Sequence, residues 1–193
     1  MNKSVYDAPD QISETKRHIL TVLVDNEPGV LARVIGMFSG RGYNIDSLNV
    51  AEVSNDENLS RITIVTHGTS EVVNQIEKQL LRIVPVHTVT NLDQEGSSVE
   101  AEVALVYIYI SGGNKKKVYQ LCDFYRARKI ENENNTTIFE IAGASDRVNR
   151  FIKEINEITK VEIVRSGPVA ISSLEKNEEE WWEFIMIETL IWI

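Results

Sequence analysis

At 193 residues, with 42% hydrophobic and 25% charged positions, the chain is long enough for one ordinary domain or two small ones, each with a real core. Its formal charge of −9 argues against a general nucleic-acid footprint, which needs a basic face. The single cysteine, Cys122, leaves no disulfide framework or thiolate metal cluster and fits a reducing cytosol.

Residues 1–17 read as a polar N-terminal tail. Asp7, Asp10 and Glu14 set it apart from signal and transit peptides. No apolar run approaches the ~20 residues of a membrane span. Residues 18–25 (H-I-L-T-V-L-V-D) form the first predicted strand. A helix follows over 30–41, with Val30, Leu31, Val34, Ile35 and Phe38 on one face. Pro28 and Gly29 mark its start, Gly40 and Gly42 its exit. Strands over 45–53 and 59–66 are joined by the polar turn S-N-D-E-N, a hairpin signal. Ser70 is placed to cap a helix carrying Val73, Ile76, Leu80 and Ile83, and 86–91 closes the unit as a strand. The order is β-α-β-β-α-β, the ferredoxin-like split unit.

The same order then repeats. A strand over 102–111 leads to a helix over 117–128 with Val118, Leu121, Cys122 and Tyr125 on one side. A short strand begins at Ile130, Asn132–Asn135 turns, and 137–142 is the next strand. Ser145 is placed to cap a helix with Val148, Phe151, Ile155 and Ile158, and a strand over 161–165 ends the repeat. At an offset of 75, Gly68-Thr-Ser-Glu aligns with Gly143-Ala-Ser-Asp, and Val86…Val89 with Val161…Val164. The fold expected is therefore α+β, two tandem ferredoxin-like domains over 18–92 and 102–174, joined by a linker over 93–101.

The two copies differ where chemistry is expected. The first has D-N-E-P-G before its first helix; the second has S-G-G-N-K-K-K. A glycine-opened helix N-terminus leaves N–H groups unpaired, and the helix dipole favours a carboxylate there. Asn26 and Asn44 flank that helix. On spacing alone they serve equally well as turn residues, since asparagine tolerates left-handed backbone.

Residues 18–92 closely resemble the ACT domain of the small, regulatory subunit of acetohydroxy acid synthase (acetolactate synthase). The resemblance is carried by D-N-E-P-G-V-L-A-R-V-I-G-M-F-S-G-R-G-Y-N-I-D-S-L at 25–48, L-S-R-I-T-I-V-T at 59–66 and Q-I-E-K-Q-L at 75–80. It continues more weakly to about Ser173. It implies a chain without a catalytic site of its own, which activates a catalytic large subunit and makes it sensitive to valine in branched-chain amino acid biosynthesis. That large subunit would hold thiamine diphosphate, Mg²⁺ and FAD. It also implies a cytoplasmic homodimer formed through the first domain, with valine enclosed at the dimer interface. Asn26, Gly29, Val30 and Leu31 would hold the effector from one protomer, Asn44 and Ile45 from the other. Pro28 departs from the serine common in the family. A free-standing ACT-type amino-acid sensor stays open as a second reading, without a DNA-binding element to support it.

The remaining features have plainer readings. His18, His67 and His87 lie in separate strands or strand ends without metal-ligand spacing, and read as strand-surface residues. Cys122 falls on an apolar helix face. Lys115–Lys117 reads as a solvated turn or as a contact for an acidic partner surface. Tyr107 and Tyr109 share a strand face, but the acidic chain lacks the aromatic consensus of RNA-binding sheets. The tail over 175–193 carries six acidic residues against one lysine, and all three tryptophans. Relatives end in basic residues instead, so this tail is either a divergent end or an extension that packs on a partner.

Overall fold

The computed structural model describes residues 14–54, 58–94, 98–133 and 136–173. The tail over 175–193 and most of the N-terminal tail lie outside them. The first unit comprises β1 (Lys16–Asp25), α1 (Val30–Gly40), β2 (Ser47–Ser54), β3 (Leu59–Gly68), α2 (Ser70–Leu80) and β4 (Val86–Asn91). Its antiparallel sheet has the order β2-β3-β1-β4. The second comprises β5 (Ser98–Tyr109), α3 (Lys115–Phe124), β6 (Arg128–Glu133), β7 (Thr136–Gly143), α4 (Ser145–Ile158) and β8 (Val161–Arg165), in the order β6-β7-β5-β8. These are the two ferredoxin-like units read from the periodicity.

Alternation along the strands decides which face each unit buries. Leu20, Val22 and Val24 of β1 and Ile62 and Ile64 of β3 form one core with Val34 and Phe38 of α1 and Val73, Ile76 and Leu80 of α2. In the second unit Ala104, Val106 and Ile108 of β5 play the same part against Val118, Cys122, Phe151 and Ile155. Burial, aided by the neighbouring charge of Asp123, pushes the Cys122 thiol up to about 12. It is protonated at neutral pH and packs as a small apolar side chain.

Several details differ from the sequence reading. Thr69, not Ser70, caps α2, its Oγ1 accepting from Val72 N at 3.4 Å. α4 has Ala144 at its N-cap position, with Ser145 as its first helical residue. α3 begins at Lys115 because Asn114 closes the preceding turn, accepting from Ser111 N at 2.8 Å and donating to Tyr109 O at 3.2 Å. His18 is buried rather than on the surface, with Nδ1 3.4 Å from Asp93. The strand β9 (Val169–Ser172) was not legible: its four residues pair with Ser98–Ala101, which extends β5 into the expected linker.

β9 is also what joins the two units. Ile19, Val65 and Leu92 of the first pack against Ala170 of β9 in one small buried cluster. Arg17 donates to Glu100 at 2.6 Å, and Asn49 Nδ2 to Pro168 O at 2.9 Å. Gly167 sits in the left-handed region at φ 74°, where a Cβ would run into Ser47 Oγ and lie 3.2 Å from Ser47 Cβ. Only glycine suits both the backbone angle and the close approach. Gly167→Ala should therefore lower stability by about 1–3 kcal/mol from backbone strain, with the clash added. In urea unfolding, Ser47→Ala placed on Gly167→Ala should recover part of the loss but not all of it.

Candidate effector-binding site

The D-N-E-P-G loop leaves β1 at Asp25. Asn26 N donates to Asn58 O at 2.6 Å, and Asn58 Nδ2 returns to Asn26 O at 3.2 Å. Asn58, the last residue of the S-N-D-E-N turn, has a φ of 52°, and its pairing fixes the D-N-E-P-G loop as well. Gly29 is the N-cap of α1 at φ 91° and ψ −6°, with no side-chain cap and no acidic residue in the first turn. Nothing lies within 4 Å of where its Cβ would stand. Val30 N donates to Glu27 O at 3.4 Å, and the remaining start of α1, with its favourable dipole and no acidic side chain in its first turn, suits a carboxylate. Val30 is buried beneath the helix start, Leu31 is half-buried, and Asn26 is exposed. Arg33 pairs with Glu27 at 2.6 Å across the loop.

Asn44 and Ile45 lie elsewhere. Asn44 O accepts from Thr66 Oγ1 at 2.7 Å, and Asn44 Nδ2 donates to Asp46 Oδ1 at 2.6 Å. Asp46 Oδ2 in turn lies 2.5 Å from His67 Nδ1. Ile45 packs with Tyr43 against the edge of the first core. On β3, Asp25 is opposite Leu59, while Asn44 rests on Thr66 seven residues on. At ~3.3 Å per residue the two asparagines of one chain stand roughly 23 Å apart, at opposite ends of the sheet. The structure thus groups Asn26, Gly29, Val30 and Leu31 and separates them from Asn44 and Ile45.

The other candidates bring no competing site. His87 Nε2 lies 2.6 Å from Asp25, and no group of three His, Cys, Asp or Glu among the described residues is placed to hold a metal ion. Among the described residues no helix is long and apolar enough to cross a membrane. Tyr107 and Tyr109 meet edge to face at 6.3 Å on the exposed face of β5.

Two tandem ferredoxin-like units, the first with a glycine-opened helix start, define a duplicated α+β protein. Comparison with known proteins narrows the class. Residues 20–88 match the family described as the AHAS small subunit-like ACT domain, and 101–174 the one described as the small subunit of acetolactate synthase. The small subunits of acetolactate synthase isozyme 3 from Salmonella typhimurium and Escherichia coli are each 44% identical over 161 residues, 83% of this chain and 98% of theirs. The crystal structure of the acetolactate synthase small subunit from Thermotoga maritima superposes with a TM-score of 0.75 at 34% identity, covering 83% of this chain and 99% of that one. The chain belongs to the acetolactate synthase small-subunit family, regulatory subunits of that enzyme.

The left-handed Gly29 gives a direct check on the loop. Gly29→Ala should cost about 1–2 kcal/mol because alanine is strained there, whereas Gly29→Asn should cost less. Thermal unfolding of the two variants side by side measures the difference.

Proposed function

We propose that this chain activates a catalytic acetolactate synthase large subunit and makes it sensitive to valine. The observation that carries this reading is the split of the candidate site. The effector candidates of one chain stand at opposite ends of its sheet and do not meet. Two chains related by a two-fold axis, with their α1 helices antiparallel, would bring Asn26 and Gly29 of one beside Asn44 and Ile45 of the other. β2 is an edge strand with Val50 and Val53 exposed, an open edge suited to pairing with its own copy.

In such a dimer the α1 N–H groups take the valine carboxylate and the asparagine carbonyls accept from its ammonium. Val30, Leu31 and Ile45 surround the isopropyl group. An apolar pocket separates aliphatic homologues by only ~1–3 kcal/mol per methylene, so isoleucine and leucine bind more weakly without being excluded. Valine inhibits by binding the inhibited arrangement of the complex more tightly than the active one. The carbon–carbon bond chemistry belongs to the partner, with thiamine diphosphate, Mg²⁺ and FAD held there, and the complex works in the cytosol.

The test is acetolactate formation by the cognate large subunit, with and without this chain, across a valine titration. Activation by the chain and inhibition by valine are expected, with Asn26→Ala keeping the first and losing the second. A removed charge-assisted hydrogen bond should shift the inhibition midpoint by about tenfold or more. No effect of the chain on the large subunit would overturn the reading.

A further inference from the structure

Three successive residues of β3 hold the Asn44 segment. Asp46 N donates to Val65 O at 2.9 Å, Asn44 O accepts from Thr66 Oγ1 at 2.7 Å, and Asp46 Oδ2 lies 2.5 Å from His67 Nδ1. With its main chain fixed in this way, the Asn44 side chain makes one further contact, donating from Nδ2 to Asp46 Oδ1 at 2.6 Å. A carboxylate accepts hydrogen bonds and does not donate them. The contact therefore commits the Asn44 amide nitrogen to Asp46 and turns its Oδ1 the other way. Asn44 is exposed, so a ligand can reach the group it presents.

That orientation decides what Asn44 can recognise. An unanchored asparagine amide presents either its oxygen or its NH₂, and the NH₂ repels an ammonium. An amide already held with its oxygen forward loses less freedom when the ligand arrives. His67 completes the arrangement: to meet a carboxylate its Nδ1 must carry the proton, and the bond fixes the second oxygen of Asp46. Asp46 and His67 are both partly exposed, so the Asp46 charge is screened and its direct pull on a ligand is small. Orientation of Asn44 is the larger effect.

We propose that Asp46 is a positioning residue of the effector site, holding the Asn44 amide so that its Oδ1 meets the effector's ammonium, with His67 bracing the Asp46 carboxylate. The proposal rests on the role given to Asn44 in valine binding. It makes the Asp46–Asn44 pair a selector for the α-ammonium group, separate from the groups that hold the carboxylate and the isopropyl side chain.

The full chain, labelled with nitrogen-15, tests this by amide shifts during titration with valine and with 3-methylbutanoate, which keeps the carboxylate and the carbon skeleton but has no amino group. Asp46→Ala should weaken valine about three- to tenfold, the range set by immobilising one side chain on binding, and leave 3-methylbutanoate unchanged. Asp46→Asn keeps an amide oxygen for Asn44 Nδ2, and its own NH₂ suits the other tautomer of His67. It should hold valine within about twofold of the original chain, since a screened surface charge counts for little. If Asp46→Ala does not fold, His67→Ala removes the brace alone and should weaken valine in the same selective way. Equal weakening of both ligands, an unchanged valine affinity, or Asp46→Asn as weak as Asp46→Ala would overturn the proposal. Those results, with valine still bound by the original chain, reject the positioning role and leave the effector reading standing. An original chain that does not bind valine rejects both.

Discussion

The antiparallel ladder between β1 and β3 sets the terms for everything else in this chain. Ten residue pairs, from Lys16 opposite Gly68 to Asp25 opposite Leu59, hold the first sheet rigid and fix its length. Because α1 returns along that sheet, its open start lies at one end and the Asn44 segment at the other. A side-chain period of two leaves no room for slippage, since a shift by one residue would turn Leu20, Val22 and Val24 out of the core. The split of the candidate site is therefore a consequence of strand length and register, and closing it is a matter of symmetry between chains.

The second unit repeats the fold without repeating the site. Its core is built from the same positions, but Asn114 replaces the glycine-opened start and three lysines follow it. Positive charge at a helix start opposes the dipole and does not suit a carboxylate in the way that α1 does. The two cores are joined by little apolar surface: four buried residues, with Arg17–Glu100 and Asn49–Pro168 as polar ties. Such a junction is held by a few specific contacts, which is why the close approach of Gly167 to Ser47 matters.

The duplicated architecture was legible because alternation and helical spacing stand out where one face is buried, as in residues 102–109 and 148–158, and because 18–25 is an apolar run of strand length. The site residues were legible only as a loop type, since Asn26 and Asn44 alone fit turns equally well. What stayed hidden depended on long-range pairing. β9 is four residues with one buried side chain, Ala170, too short for its pattern to stand out from a loop. Its partner strand over 98–101 looked like linker because its role exists only once β9 is beside it. His18 read as a surface residue because of its polarity, yet it shares the inward face of Leu20, Val22 and Val24 and lies 3.4 Å from Asp93. Ser145 read as a cap because its residue type suits one, but the helix starts one residue earlier than that reading, with Ala144 at the N-cap.

The central claim, that one valine site is shared by two chains, is tested most directly by complementation. Chains carrying Asn26→Ala are mixed, unfolded and refolded together with chains carrying Asn44→Ala, and valine binding is measured by calorimetry. Each parent variant alone should fail to bind. A mixed dimer pairs an intact Asn26 with an intact Asn44 at one of its two sites, so the mixture should regain binding. Failure of the mixture to bind, with both variants folded and dimeric, would contradict a shared site.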